Sequence, residues 1–324
     1  MSNPPTLVFI PGAWHNPICY EKIIKHLQGD HKLKCVSITL PTTSGDPAAT
    51  FKDDLDVARN AISHETSRNR DVVVLAHSYG GVVGNSAIKD FTKPRDTPPM
   101  PPTEGEDREE KEGRVIGLVL IASGFSFTGY AFMDPFLGHP PPSWRVNNET
   151  GYAELLVSPR EFFYHDLPDD EAGFWVSQLR PQSLKALFEG AEFTYAGWKD
   201  VPVWYIGTVE DRGLPVVVQR MQIGMARAMG VNVEHRELQT SHSPFLSQPE
   251  ATTRIIVEAV VAFTGKPRCY PSRAGGRGDV IALPKATLWQ PLSWVRFGLP
   301  LVLGHVIGKG IRLFTWSRRL FGLY

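Results

Sequence analysis

Cysteine is scarce in this 324-residue chain. The three present, Cys19, Cys35 and Cys269, are odd in number and far apart, with no C-x-x-C pair and no metal-ligand spacing to histidine. That pattern speaks against a disulfide framework or a structural metal site, and for free thiols in a reducing compartment. Nothing suggests a leader segment either. Met1-Ser2-Asn3-Pro4-Pro5 carries no basic residue, and the apolar run Thr6–Ile10 is too short for a signal sequence and reads as a strand. An intracellular, cytoplasmic protein is expected. Net charge is zero, with 34 basic and 34 acidic residues, so the whole molecule does not look like a nucleic-acid binder. No fixed-period repeat is visible. Gly-Gly pairs such as Gly275-Gly276 lack the lysine and the preceding strand of a phosphate-binding loop and read as linker. No metal or cofactor is called for.

What is present is alternation. Leu7–Ile10, Lys34–Thr39, Val72–Leu75, Val115–Ile121, Val201–Ile206 and Asn232–Leu238 are apolar, β-rich runs. Between them lie helical patterns at Ile18–Leu27, Thr50–His64, Tyr79–Phe91, Val216–Met229 and Pro249–Phe263. Such βαβ alternation predicts an α/β fold, a mainly parallel sheet with helices on both faces, over residues 1–265. Two insertions interrupt it. Residues 92–114 are rich in Pro, Glu, Asp and Lys and nearly free of large apolar side chains, which predicts a mobile surface loop. Residues 125–199 are dense in aromatics and hold short helical pieces, which predicts a helical cap over the strand ends.

In an open α/β sheet, ligands bind beyond the carboxyl ends of the strands. The reactive residues that follow strands are therefore the ones to weigh. Val72–Leu75 runs into Ala76-His77-Ser78-Tyr79-Gly80-Gly81, a small-x-Ser-x-Gly turn leading into a helix. That strand–turn–helix context can expose a serine as a nucleophile. The first strand ends in Pro11-Gly12-Ala13-Trp14-His15, whose small residues let backbone N–H groups face an oxyanion. The N–H groups of Ala13 and Tyr79 are the expected donors. Val201–Ile206 leads to Gly207-Thr208-Val209-Glu210-Asp211, where Asp211 is the first choice for an acid that orients a histidine and Glu210 the second; Asp200 sits at the wrong end of the strand. The last strand leads to Ser241-His242-Ser243-Pro244-Phe245, and His242 falls on a loop at the correct end. Ser78, Asp211 and His242 thus occur in the chain order of a hydrolase triad.

These segments, together with Glu210-Asp211-Arg212-Gly213-Leu214-Pro215, resemble the α/β-hydrolase superfamily, and within it the plant methylesterase and hydroxynitrile lyase branch. Phe163-Tyr164-His165-Asp166-Leu167-Pro168 and Trp175-Val176-Ser177-Gln178-Leu179 are similar to its uncharacterised fungal members. The resemblance covers residues 6–264. It implies a serine hydrolase that cleaves a carboxylic ester, lactone or thioester of a small apolar or aromatic molecule through an acyl-enzyme, with a role in secondary metabolism. Trp14, His15 and Phe125 adjoin the motifs and are the expected pocket residues. Lyase members carry a lysine after the catalytic histidine and a threonine in the loop after the first strand, where Ser243 and Gly12 stand here. Superfamily members that open epoxides or remove halide carry aspartate at the position of Ser78. A cyclase, lyase or epoxide-opening enzyme on the same site, and a ligand receptor built on a hydrolase, remain the alternatives.

From Lys266 onward the chain changes character. This stretch holds ten basic residues and one acid, Asp279, against 24 basic and 33 acidic residues before it. Residues 266–285 read as a linker. Residues 287–324 mix large apolar side chains with Arg and Lys, interrupted by Pro300 and several glycines. The apolar core is too short and broken to predict a spanning helix. Two readings stand: a peripheral segment at a membrane surface, or a tail docked on the domain's own surface.

Overall fold

The computed structural model describes residues 4–92, 113–265, 281–282, 284 and 291–320. Most of the acidic loop, the basic linker, Gly275-Gly276 and Cys269 lie outside the described residues. Cys19 and Cys35 are free thiols.

The sheet has six parallel strands in the order β2-β1-β3-β4-β8-β9. They are β1 (Thr6–Ile10), β2 (Lys34–Ser37), β3 (Val72–His77), β4 (Val115–Ile121), β8 (Val203–Thr208) and β9 (Val233–Leu238). Alternate side chains enter two cores, as the strand pleat requires. Leu7 and Phe9 pack with Val73, Leu75, Val119 and Ile121 against α1 (Glu21–Gly29) and α9 (Pro249–Thr264). Val8 and Ile10 pack with Val72, Val74 and Ala76 against α2 (Phe51–Thr66), α3 (Gly80–Ala87) and α7 (Val216–Ala228).

Element boundaries follow local chemistry. α2 starts after Thr50, whose hydroxyl accepts from the Asp53 N–H while the Asp53 carboxylate accepts from the Thr50 N–H, closing a capping box. The predicted helix Ile18–Leu27 is divided into a 3-10 turn, Pro17–Tyr20, capped by Asn16, and α1. The predicted strand Val201–Ile206 is shifted to Val203–Thr208, because Pro202 has no N–H for the ladder.

The insertion between β4 and β8 carries the short helices expected, α4 (Pro159–Phe163), α5 (Asp169–Ser177) and α6 (Lys185–Phe188). It also carries a feature not expected from the sequence, an antiparallel sheet of β5 (Trp144–Asn147), β6 (Tyr152–Leu155) and β7 (Gln182–Ser183). After β9 the chain passes through α8 (Pro244–Ser247) into α9.

The tail departs from expectation. α10 (Pro291–Ser293) and a π-helical turn, Trp294–Gly298, lead into α11 (Leu299–Leu320), an unbroken 22-residue helix. Pro300 does not break it: it follows directly on the π-helical turn, and the Arg296 carbonyl four residues before it accepts from the Arg220 guanidinium at 2.7 Å in place of the missing N–H. α11 packs along α7.

One buried ion pair joins α7 to the sheet. The Arg220 guanidinium donates two hydrogen bonds of 2.7 Å to the Glu237 carboxylate, with both residues almost wholly buried. Removing one partner strands the other charge in the core, at a cost of about 3–5 kcal/mol. Arg220→Ala is therefore expected to lower the stability of the whole domain by about that amount, measured by chemical denaturation; a loss well below 1 kcal/mol would show the pair to be energetically idle.

Candidate active site

The strand order places a switch point between β1 and β3. From β1 the chain moves to β2 on one side, then crosses to β3 on the other. The loops at the carboxyl ends of β1 and β3 therefore diverge and leave a crevice, the usual ligand position in such sheets.

Ser78 stands at that crevice with φ 51°, a left-handed conformation that costs a non-glycine residue about 1–2 kcal/mol. Three bonds hold it. The Ser78 N–H donates to the Ile121 carbonyl at 3.1 Å. Its own carbonyl accepts from the Gly81 N–H at 2.9 Å and from the Ser123 hydroxyl at 2.7 Å. The turn also presses on the β1 loop. A Cβ at Gly80 would lie 2.3 Å from the Pro11 carbonyl oxygen, so no larger residue fits there. Gly12 is confined as well, though less tightly: a Cβ there would lie 2.9 Å from His77 Nδ1 and 3.0 Å from Ser78 Cβ.

On the far side of the crevice, the His242 Nδ1–H donates to Asp211 Oδ2 at 2.8 Å, with both residues buried. A carboxylate only accepts, so Nδ1 carries the proton and Nε2 keeps its lone pair. Asp211 is itself fixed by Thr208 Oγ1 (2.7 Å), the N–H groups of Gly213 and Leu214 (2.8 Å each) and Gln219 Nε2 (3.2 Å). Glu210, the second choice, instead accepts from Gln239 on an exposed surface. His77, immediately before Ser78, ties the two halves together. Its Nε2–H donates to the His242 carbonyl at 2.9 Å, and the two rings lie 4.6 Å apart. Burial, with His242 and His15 nearby, holds the His77 imidazole well below its ordinary pKa, so it stays neutral.

Ala13 and Tyr79 are both buried. Neither N–H donates to a protein acceptor among the described residues. The Tyr79 side chain points elsewhere, its hydroxyl donating to Asp54 at 2.9 Å. Burial pushes the Asp54 carboxyl up to about 6 despite its bonds to Thr42 and Tyr79.

The expected pocket residues are placed differently from one another. Trp14 is half-buried, with φ 61°; its indole N–H donates to the Ala153 carbonyl in β6. His15 is buried with both ring nitrogens engaged. Its Nδ1–H donates to the Ala13 carbonyl at 2.7 Å and its Nε2 accepts from the Tyr164 hydroxyl at 2.9 Å. Phe125 is packed into the core between Tyr205 and Trp198. The sequence alone assigns no role to His77, Ser123, Gln219 or Asp166. Asp166 accepts from Ser241 N (2.8 Å) and Thr240 Oγ1 (2.7 Å), which clamps the His242 loop to the insertion. The only sequence signal for these is polar identity inside otherwise apolar surroundings.

This geometry supplies an imidazole whose Nε2 keeps its lone pair, an acid that fixes its tautomer, a serine on a constrained turn whose neighbour His77 bonds the His242 carbonyl, and two N–H groups without a protein acceptor among the described residues. Comparison with known proteins identifies the family. A model of the alpha/beta hydrolase family matches residues 7–255, and the chain belongs to that family. It is 27% identical over 265 residues to the alpha/beta hydrolase nvfD of Aspergillus novofumigatus, covering 79% of this chain and 96% of the relative. It is 22% identical over 281 residues to methylesterase 17 of Arabidopsis thaliana, covering 80% and 92%. Among solved structures, a pyrethroid hydrolase from Sphingobium faniae JZ-2 shares the fold with a TM-score of 0.59 at 17% identity, covering 81% of this chain and 99% of that one. Tomato methylketone synthase I does so with 0.60 at 15%, covering 81% and 99%. The chain is thus a hydrolase enzyme by family.

The two ring bonds of His15 generate a titration test. Burial, reinforced by His242 and opposed by the Ala13 carbonyl, lowers its pKa from 6.5 to about 4. The folded value lies below the unfolded one, so its contribution to stability is complete above 6.5 and is lost as pH falls through about 4. NMR is expected to find the His15 ring neutral until pH approaches 4; titration near 6.5 would contradict the buried geometry.

Proposed function

We propose that this member of the alpha/beta hydrolase family is a serine hydrolase, cleaving a carboxylic ester, lactone or thioester of a small apolar or aromatic molecule through an acyl-enzyme. The observation that carries the reading is the His242–Asp211 hydrogen bond joined through His77 to a serine on a left-handed turn. Ser78 Oγ attacks the acyl carbon as His242 Nε2 takes its proton. The carbonyl oxygen becomes an oxyanion and is met by the N–H groups of Ala13 and Tyr79. The imidazolium that forms lies against Asp211 and then gives its proton to the leaving oxygen or sulfur. Water, deprotonated by the same Nε2, attacks the acyl-serine and releases the acid.

Two residues weigh against lyase chemistry. Ser243 follows His242, so the lysine that lyase members carry at that position is missing here. Gly12 has no room for a hydroxyl-bearing side chain, because even a Cβ would crowd His77 and Ser78. The substrate class rests on the aromatic insertion and on relatives named as a methylesterase and a pyrethroid hydrolase.

A fluorophosphonate probe is expected to label the wild type at Ser78 and to leave Ser78→Ala unlabelled. On aryl-ester and lactone panels the same variant is expected to lose at least about 10³-fold in kcat. Absent labelling with absent turnover would overturn the hydrolase reading; labelling without turnover on any ester would favour a lyase, a cyclase or a receptor. A second variant addresses the oxyanion donors. Gly12→Ala is expected to displace the Ala13 N–H and lower kcat by about 10²–10³-fold with KM nearly unchanged. Undiminished kcat would remove Ala13 from the mechanism.

A further inference from the structure

The face of α11 turned toward α7 is committed to close helix packing. A Cβ at Gly304 would lie 1.8 Å from the Met221 carbonyl oxygen, and one at Gly308 would lie 2.5 Å from that of Met225. On α7, a Cβ at Gly224 would lie 2.2 Å from the Leu301 carbonyl oxygen. Small residues four apart let the two backbones nearly touch, the same device that packs helices in bilayers. The register, Met221 to Gly304 and Met225 to Gly308, makes the helices parallel. Arg312 adds a hydrogen bond to the Ala228 carbonyl, and Arg220 one to the Arg296 carbonyl.

The opposite face has no partner among the described residues. Leu299, Val302, Val306, Ile307, Phe314 and Trp316 are 41–65% exposed. At 100° per residue they cover about half of the helix circumference. From Trp294 to Trp316 the strip is about 33 Å long at 1.5 Å per residue. A groove that binds an amphipathic helix reads a narrower stripe of anchors. The surrounding charge is of one sign. Arg296, Lys309, Arg312 and Arg318 lie along the helix, and the only acid from Lys266 to the end is Asp279. A broad apolar face with tryptophans near both ends and cations along it is complementary to an anionic bilayer, which takes up apolar side chains and attracts cations at its headgroups.

We propose that the outer face of α11 seats the enzyme on an anionic membrane surface, with the helix lying in the interface while its glycine face stays on α7. By length and composition Trp294–Arg318 could cross a bilayer, with a mean hydropathy of 1.3. Spanning would, however, strip it from α7 and open the packed contact at Gly304 and Gly308. The in-plane position keeps both faces covered. It also keeps the domain close to lipid-dissolved substrates. The proposal does not depend on which acyl group Ser78 attacks.

The test is co-sedimentation of the full chain with phosphatidylcholine vesicles, with and without phosphatidylserine. The wild type is expected to pellet with the mixed vesicles and to be released by alkaline carbonate. Val302→Glu combined with Val306→Glu alters only exposed positions, so folding and turnover of a soluble ester are expected to persist while vesicle partitioning falls at least about 10-fold. Lys309→Gln is expected to weaken binding to phosphatidylserine vesicles about fivefold and to leave binding to neutral vesicles little changed. Wild type that stays in the supernatant, or a double variant that pellets like wild type, would overturn the proposal. Resistance to carbonate would replace in-plane seating with a span. A dimer in sedimentation velocity that the double variant abolishes, without vesicle binding, would assign the face to a second copy.

Discussion

The close approach of two loops at the β1/β3 switch point is the constraint on which the rest of the site depends. The turn after β3 must pass within van der Waals contact of the loop after β1, and only glycine at 12 and 80 permits it. That approach sets the Ala13 and Tyr79 N–H groups beside the serine. It also forces Ser78 into a backbone region that an isolated peptide would avoid. The strain persists because the surrounding strands over-determine the turn. Ile121 and Ser123, from the end of β4 and just beyond it, hold the Ser78 peptide on both sides.

The insertion between β4 and β8 is bonded to each of the loops that form the site. Trp14 reaches Ala153, His15 meets Tyr164 and Asn16 donates to Gln178, all from the β1 loop. His165 donates to the Glu210 carbonyl beside Asp211. Asp166 takes Thr240 and Ser241, and the Ser241 hydroxyl donates to the Phe163 carbonyl. Burial opposes the Asp166 charge, but these donors still hold its carboxyl below the usual range. The insertion therefore braces the loops of the candidate site. Neutral His15 and His77 fit that role, since a charged imidazole could not be buried there without a counter-ion.

The middle of the sheet was legible because β1, β3, β4 and β8 are buried almost throughout and read as apolar runs. Ser78, Asp211 and His242 could be singled out from their places after such runs. What escaped depends on partners distant in sequence. His15 looked like a pocket residue because its neighbours along the chain are site residues, yet Tyr164, 149 positions on, occupies its Nε2. Phe125 follows β4 closely but finds its place between Trp198 and Tyr205. Each strand of the small antiparallel sheet is four residues or fewer, too short to display a period among so many aromatics. In the tail, Pro300 and the glycines look like helix breakers when read locally. Packed on α7, the glycines become the reason the helix sits where it does.

α7 links the site to the tail. Its first turns carry Gln219, which donates to Asp211, and Gln222, which accepts from the Phe125 N–H. The same turns carry Arg220, whose guanidinium bonds Glu237 and lies 4.6 Å from the Phe297 ring. One helix thus positions the acid of the relay on one face and receives the tail on another. Because α7 and α11 run parallel, the start of α11 lies at the same end of the sheet as Ser78. A surface that held the outer face of α11 would therefore border the end of the molecule that carries the candidate site.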